Sequence, residues 1–367
     1  MIKQDRSILS EWWWEIDKWQ FACVIGLAII GFFLILSAGP PAAERIRIDS
    51  STFVFKHLVF LPVGLCLMLF CSGLSVRNMR RCCILILVCS LTGMVLTIFT
   101  GVEVKGASRW IQVFGFTVQP SEFVKPTLAI LLAWFLSAQR IGEPIYGYAI
   151  AVFLYLLVVG LLMLQPDFGQ TILVSLVFAS QLFLIGLPLL VVFLLSIIGI
   201  LGMVLSYFYI PHVRSRIDRF FNPESGDTFQ IDRSIEAFKS GGFIGVGPGE
   251  GRVKYQIPDG HADFIFAVGA EEYGMVLCLI ILALFVGILI SVALRTFRMN
   301  DLFAVLASAG LMIQFGLQAL INIASTVNLI PTKGMTLPFI SYGGSSMLAS
   351  CIAMGFVLSI TRRRLHL

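Results

Sequence analysis

Two acidic positions in an otherwise apolar chain give the first chemical signal. Asp263 closes a long polar segment and opens an apolar run, and Glu271 follows eight residues later with Glu272 beside it. At helical rise that spacing carries Glu271 about 12 Å deeper than Asp263. A carboxylate at such depth in a bilayer costs roughly 2.5–3.5 kcal/mol on insertion scales, so it must face protein or a wet cavity. Asp263, Ala267, Ala270 and Gly274 fall on one helical face, a narrow stripe of small residues leading away from the acid. The stripe suits tight helix packing with Asp263 as an N-terminal cap. It also suits a carboxylate that opens onto a wet cavity.

Further chemistry-bearing residues lie at the edges of other apolar runs. Glu122 follows Pro120 and Ser121 at a predicted helix start, where the macrodipole favours an acid. Lys125 opposes that dipole from within the apolar register and needs an anion, which Glu122 supplies at i−3. Pro126 is expected to bias Lys125 away from helical geometry. Asp167 with Gln170 reads as a capping box. Lys333 falls in a short loop, and the 338–346 segment after it brings Ser341, Ser345 and paired glycines close to a helix mouth.

The elements that must position these groups are membrane spans. The 367 residues are 58% hydrophobic and 13% charged, with mean hydropathy +0.92, and soluble domains carry about 25% charged residues. A net charge of +5 is too small to signal nucleic-acid binding. All eight cysteines lie in apolar segments without metal-ligand spacing, so structural disulfides are not expected. Runs of spanning length occur near 20–38, 53–75, 82–100, 122–138, 146–164, 168–186, 188–209, 263–290, 301–323 and 338–360. The fold class is therefore an all-α polytopic membrane protein of about ten spans, a single domain over 1–367. Its first apolar run, 21–36, is expected to be an uncleaved span. Trp12, Trp13, Trp14 and Trp19 mark residues 1–19 as an interfacial, cytoplasmic N-terminal segment.

Short-loop charges orient this bundle. Arg77, Arg80, Arg81, Arg140, Arg295, Arg298 and Arg362 share one face if both termini are cytoplasmic, as the positive-inside rule requires. The large 210–262 loop then lies outside, between spans seven and eight. Its mixed charges and the glycine run at 241–249 suit either a solvated loop of tight turns or a re-entrant segment that gathers anionic headgroups. Arg109, Glu122, Lys125, Asp167, Arg252, Asp263 and Lys333 all open onto the same outer side. They outline a mixed-charge cavity suited to a charged amphiphile or an ion.

The same residues carry a resemblance. Gly106-Ala-Ser-Arg-Trp-Ile111, Gln119-Pro-Ser-Glu-Phe-Val-Lys125, Gln165-Pro-Asp-Phe-Gly169, His261-Ala-Asp-Phe-Ile-Phe-Ala267 with Glu271-Glu272, and Pro331-Thr-Lys-Gly334 with 338–346 stand in order along the chain. Together they resemble the SEDS family of shape, elongation, division and sporulation proteins, from about residue 20 onward. The Pro-Thr-Lys-Gly block is closer to the division member than to the elongation member. Ala262 stands where the family often has threonine, and Pro126 where it more often has an ordinary helix former.

That resemblance implies a peptidoglycan glycosyltransferase that polymerises lipid II at the outer face of the bacterial cytoplasmic membrane, at the division septum. Its implied partners are a class B penicillin-binding protein and other division proteins. Asp263 matches the family's catalytic aspartate, while Glu122 and Lys125 match an essential outer-cavity pair. Arg109 and Lys333 match motif positions, and Arg252, Ser341 and Ser345 join them as expected substrate contacts. Asp167, Glu271 and Glu272 are expected to hold structural or cavity-lining places. A divalent cation, magnesium or manganese, would be held by Asp263 and Glu122, with no organic cofactor. Two other readings suit the same architecture: a flippase for lipid II, and a non-catalytic scaffold that activates a penicillin-binding protein.

Overall fold

The computed structural model describes residues 8–104, 107–113, 115–188, 190, 194, 197, 199, 201–202, 204, 207–209, 214–215, 218, 229–331 and 334–362. Helices dominate. They are α1 (Ile8–Glu15), α2 (Lys18–Arg45), α3 (Thr52–Ser72), α4 (Val76–Thr100), α5 (Pro120–Arg140), α6 (Gly147–Leu164) and α7 (Phe168–Leu184), then α8 (Phe229–Gly241), α9 (Ile265–Thr296), α10 (Leu302–Thr326) and α11 (Gly344–Ile360). Among the described residues seven of these are long and apolar enough to cross a membrane, and the apolar helices α7 and α11 are slightly shorter. Each coincides with a predicted span. Half of the predicted seventh span, 188–209, lies outside the described residues, as does most of the 210–228 segment.

Helix starts follow ordinary capping chemistry. Asp17 accepts from the backbone N–H groups of Trp19 and Gln20 at the head of α2, and Asp301 from Phe303 N at the head of α10. These bonds satisfy donors that have no intrahelical partner. Most spans keep a broad apolar face outward, with Phe55, Phe70, Phe99 and Phe153 exposed, as lipid-facing helices should. α5 differs. It is buried on nearly every side from Pro120 to Ala138 and packs against α4, α6, α7, α10 and α11. The most enclosed helix therefore carries Glu122 and Lys125, where every polar atom needs a protein partner.

The two ends of the bundle separate as the loop charges predict. At one end Trp12 Nε1 donates to Ser72 Oγ at the foot of α3, Arg295 Nε pairs with Asp17 at 2.7 Å, and Arg362 Nε pairs with Glu15 at 2.8 Å. Arg80 lies over Trp134 and Phe303 at that same end. The heads of α5 and α9 and the foot of α10 gather at the other.

Three features depart from the sequence reading. Residues 102–118 form a three-stranded antiparallel sheet, β1 (Val102–Val104), β2 (Ala107–Val113) and β3 (Phe116–Val118), so the all-α expectation holds for the membrane part alone. The outer segment holds an amphipathic helix, α8, packed on α9. The predicted span 263–290 is not one rod: α9 breaks at Gly274, whose φ of 71° and ψ of −168° are non-helical. Only glycine adopts that conformation readily.

Candidate functional site

The head of α5 is set by sequence: Pro120 occupies the first turn, where its missing N–H is harmless. Lys125 then turns back one turn to Glu122, Nζ to Oε2 at 2.9 Å, with side-chain exposures of only 2% and 7%. Pro126 does not displace Lys125. The helix runs through it, and the i, i+3 pair forms despite the lost backbone bond. The other Glu122 oxygen accepts from Gln170 Nε2 at 2.7 Å, and Lys125 Nζ also donates to Gln318 Oε1 at 2.9 Å. Both charges are thus matched by oriented dipoles as well as by each other, the condition for keeping an ion pair buried. Beside them a void of about 10 Å³ is lined by Lys125 and Gln314.

α10 supplies the scaffold for this end. One turn beyond Gln318, about 6 Å along the helix, Asn322 Nδ2 donates to the Asp263 backbone oxygen at 2.9 Å and to Met335 O at 2.6 Å. Gln318 Nε2 donates to Thr336 O at 3.1 Å. The two amides therefore hang the Asp263 turn, the 334–337 strap and Lys125 from neighbouring rungs of one helix. The Asp263 side chain is half-buried, and a Cβ on Gly334 would sit 3.6 Å from its Oδ2. Asp263 is no helix cap: the capping position before α9 is Phe264, without a side-chain bond. Its carboxylate is held at the rim, with the strap passing directly beside it.

Ser341 and Ser345, expected as substrate contacts, are buried and bonded to neighbouring backbone. Ser341 Oγ donates to Ala262 O at 2.6 Å and accepts from Leu337 N, and Ser345 Oγ accepts from Gln119 N at 2.9 Å. Arg109, on β2, donates from Nε to Gln165 O at 3.0 Å and from Nη2 to Pro166 O. It also pairs with Asp167 at 3.5 Å while 23% of its side chain stays exposed. Burial pushes the Asp167 carboxyl above its ordinary range, and Arg109 opposes the shift. Only half of the predicted capping box forms. Asp167 accepts from Gln170 N at 3.4 Å, while the Gln170 side chain turns away to Glu122.

Glu271 and Glu272 lock the outer segment onto the break in α9. Glu271 accepts three backbone N–H bonds, from Arg252, Val253 and Lys254, at 2.7, 2.7 and 2.9 Å. Glu272 pairs with Lys254 Nζ at 2.6 Å and accepts from Ser37 Oγ. The glycine run makes up the backbone bonds that the break removes. Val246 N and Gly247 N donate to Glu271 O and Glu272 O, while Gly242 O and Phe243 O accept from Met275 N and Val276 N. A Cβ on Gly241, Gly245 or Gly274 would collide with backbone of the facing segment. The 241–249 run forms tight turns bonded to the break in α9. The Arg252 side chain remains exposed above the lock. Lys333 lies outside the described residues.

Sequence reasoning missed Gln318 and Asn322. A signal was present, since Gln314, Gln318 and Asn322 recur every four residues through an apolar run and so share one helix face. Lys254 was also missed as the partner of Glu272.

For the expected divalent cation the donor set at Glu122 fits poorly. Each of its oxygens already accepts a protein hydrogen bond, and an ammonium stands 2.9 Å away. Among the described residues no group of three or more His, Cys, Asp or Glu gathers in a metal-holding arrangement.

Comparison with known proteins places these features in a lineage. A family model described as cell cycle protein, covering FtsW, RodA and SpoVE, matches residues 17–366. A Caulobacter vibrioides protein named "Probable peptidoglycan glycosyltransferase FtsW" is 42% identical over 363 residues, covering 99% of this chain and 93% of that protein. A Coxiella burnetii protein of the same name is 33% identical, covering 97% and 98%. A chain from a peptidoglycan synthase complex, described as coordinating polymerization and crosslinking, superposes with a TM-score of 0.78. It is 27% identical, and the match covers 94% of this chain and 97% of that one. The rod shape determining protein RodA of Thermus thermophilus superposes with a TM-score of 0.70 at 27% identity, covering 95% and 97%.

Proposed function

The chain belongs to the FtsW/RodA/SpoVE family of cell cycle proteins, and from that premise we propose that it polymerises lipid II as the peptidoglycan glycosyltransferase of septal wall synthesis. The observation that carries the site is the pair of α10 amides. Gln318 and Asn322, one turn apart, hold Lys125 and the Asp263 turn in fixed register.

Asp263 is the general base. The acceptor hydroxyl attacks the anomeric carbon of the donor, its proton passes to the Asp263 carboxylate, and the bond from that carbon to the diphosphate oxygen breaks with its electron pair. A carboxylate at a half-buried rim can reach a sugar hydroxyl, and such a base contributes about 10²–10⁴ in rate. The departing polyprenyl diphosphate needs cationic donors. In this reading Arg252, exposed above the lock, and Arg109, partly exposed on β2, supply them. Lys125 acts from behind. Its buried pairing with Glu122 and Gln318 organises the wall against which the 334–337 strap is held. No step is routed through a metal.

In this reading the chain is a multi-pass protein of about ten spans in the bacterial cytoplasmic membrane. The arginine-rich end with both termini is cytoplasmic, and the site faces outward at the septum. A class B penicillin-binding protein supplies the crosslinking partner, in keeping with the synthase complex that this fold resembles. The test is reconstitution of the purified chain with labelled lipid II, with and without that partner. Glycan polymer supports the reading. Lipid II translocation without polymer, or polymer only from the partner, refutes it.

A further inference from the structure

At the end of the bundle opposite Asp263, a cleft of about 490 Å³ opens between the head of α2 and the foot of α9. The floor is Gly287, where a Cβ would lie 3.6 Å from Trp19 Nε1 and 3.6 Å from Cys23 Sγ. The indole of Trp19, 65% exposed, forms one wall. On the α9 side Ile290 and Leu294, both more than half exposed, lie one turn apart, and Arg298 lines the same cleft from the turn just beyond the last helical residue, Thr296.

The charges in the cleft do not cancel. Asp17 is buried and fully engaged, by the N–H groups of Trp19 and Gln20, by Ser291 and by Arg295. Its negative charge is balanced by Arg295, which leaves Arg298 as a net positive charge. The Arg298 side chain is exposed and has no ion pair or hydrogen bond among the described residues. From Ile290 to Arg298 the wall thus runs from apolar to cationic along the end of α9 and the turn that follows it. That gradient matches an amphiphile with an anionic head, with Trp19 at interfacial depth. A partner transmembrane helix would instead ask for an apolar wall throughout.

We propose that this cleft is a binding site for one anionic glycerophospholipid of the leaflet at the arginine-rich end. The phosphodiester meets Arg298, and an acyl chain lies along Leu294 and Ile290 across the floor at Gly287. The site is remote from Asp263 and does not depend on the polymerase reading.

Native mass spectrometry of the full chain tests it, titrating dioleoyl phosphatidylglycerol against dioleoyl phosphatidylcholine. The wild type should retain one phosphatidylglycerol in preference to phosphatidylcholine. One basic residue near a membrane surface is worth about 1 kcal/mol, so Arg298→Gln should weaken that preference about fivefold. Gly287→Leu, which fills the floor, should remove the tightly held molecule. Arg81→Gln, an exposed arginine on α4, should change nothing. Equal retention of the two lipids overturns the proposal. So does an unchanged preference in Arg298→Gln, or an equal loss in Arg81→Gln, which would mean a diffuse surface potential. If Gly287→Leu fails to fold, the two arginine variants, both altered at the surface, decide alone.

Discussion

Breaking and then removing the Lys125–Glu122 pair should have opposite effects on stability. Both groups are more than nine-tenths buried and 2.9 Å apart. Lys125→Met keeps the side-chain length but leaves the Glu122 carboxylate buried with Gln170 as its remaining donor. Removing one partner of a buried pair costs roughly 3–5 kcal/mol, most of it the uncompensated charge. Gln318 Oε1 also loses its donor, a buried acceptor left unmade at about 1–3 kcal/mol. The single variant should therefore lose at least about 3 kcal/mol. In the double variant Lys125→Met with Glu122→Gln no buried charge remains, and the new amide still meets Gln170. It should recover roughly 2–3 kcal/mol of the loss. The assay is equilibrium unfolding of the purified protein in mixed micelles, followed by circular dichroism. A double variant as unstable as the sum of the two singles would refute the buried pairing. Neither variant should polymerise lipid II efficiently, because the wall behind the strap is altered in both.

The outer lock and the α10 amides give further expectations. Glu271→Ala removes the acceptor of three loop N–H groups, so limited proteolysis should cut the 242–256 segment much faster than in the wild type. Gly274→Ala forces a residue with Cβ into positive φ against Phe243 O. It should cost more than about 1–2 kcal/mol and raise hydrogen exchange at Val246 and Gly247. Asn322→Leu frees the Asp263 turn and the strap together, so the turnover rate should fall more than lipid II binding does. Lys125→Ala should reduce activity more than Lys333→Ala, since Lys125 is buried among fixed partners; equal mild losses in glycan synthesis would count against that.

The spans were legible because a bilayer demands long apolar runs, and nine predicted runs carry helices. The gathering of short-loop arginines at one end followed from the same constraint. Glu122 and Lys125 were legible as a pair, since i, i+3 spacing brings them together on any helix. The break at Gly274 was not, because glycine is common in membrane helices and one residue leaves the apolar run intact. Its meaning lies in the distant 241–249 run that makes up the missing backbone bonds. The Asp263 turn likewise depends on Asn322, 59 residues away, which local periodicity cannot connect. Arg109 sits on a strand whose seven residues were too few to stand out beside long helical runs. The backbone bonds of Ser341 and Ser345 were not legible, because an outward hydroxyl and a buried one look alike until the partner carbonyl or N–H is known.

The most direct test of the account is Asp263→Asn, reconstituted with a class B penicillin-binding protein and supplied with labelled lipid II. The amide is nearly isosteric, and Asn322 reaches the backbone oxygen of residue 263, not its side chain, so folding and partner binding should persist. The amide cannot take the acceptor's proton at neutral pH. Polymer formation should fall by about 10²–10⁴ with lipid II binding unchanged. Glycan chains of wild-type amount and length from this variant would contradict the assignment of Asp263 as the base.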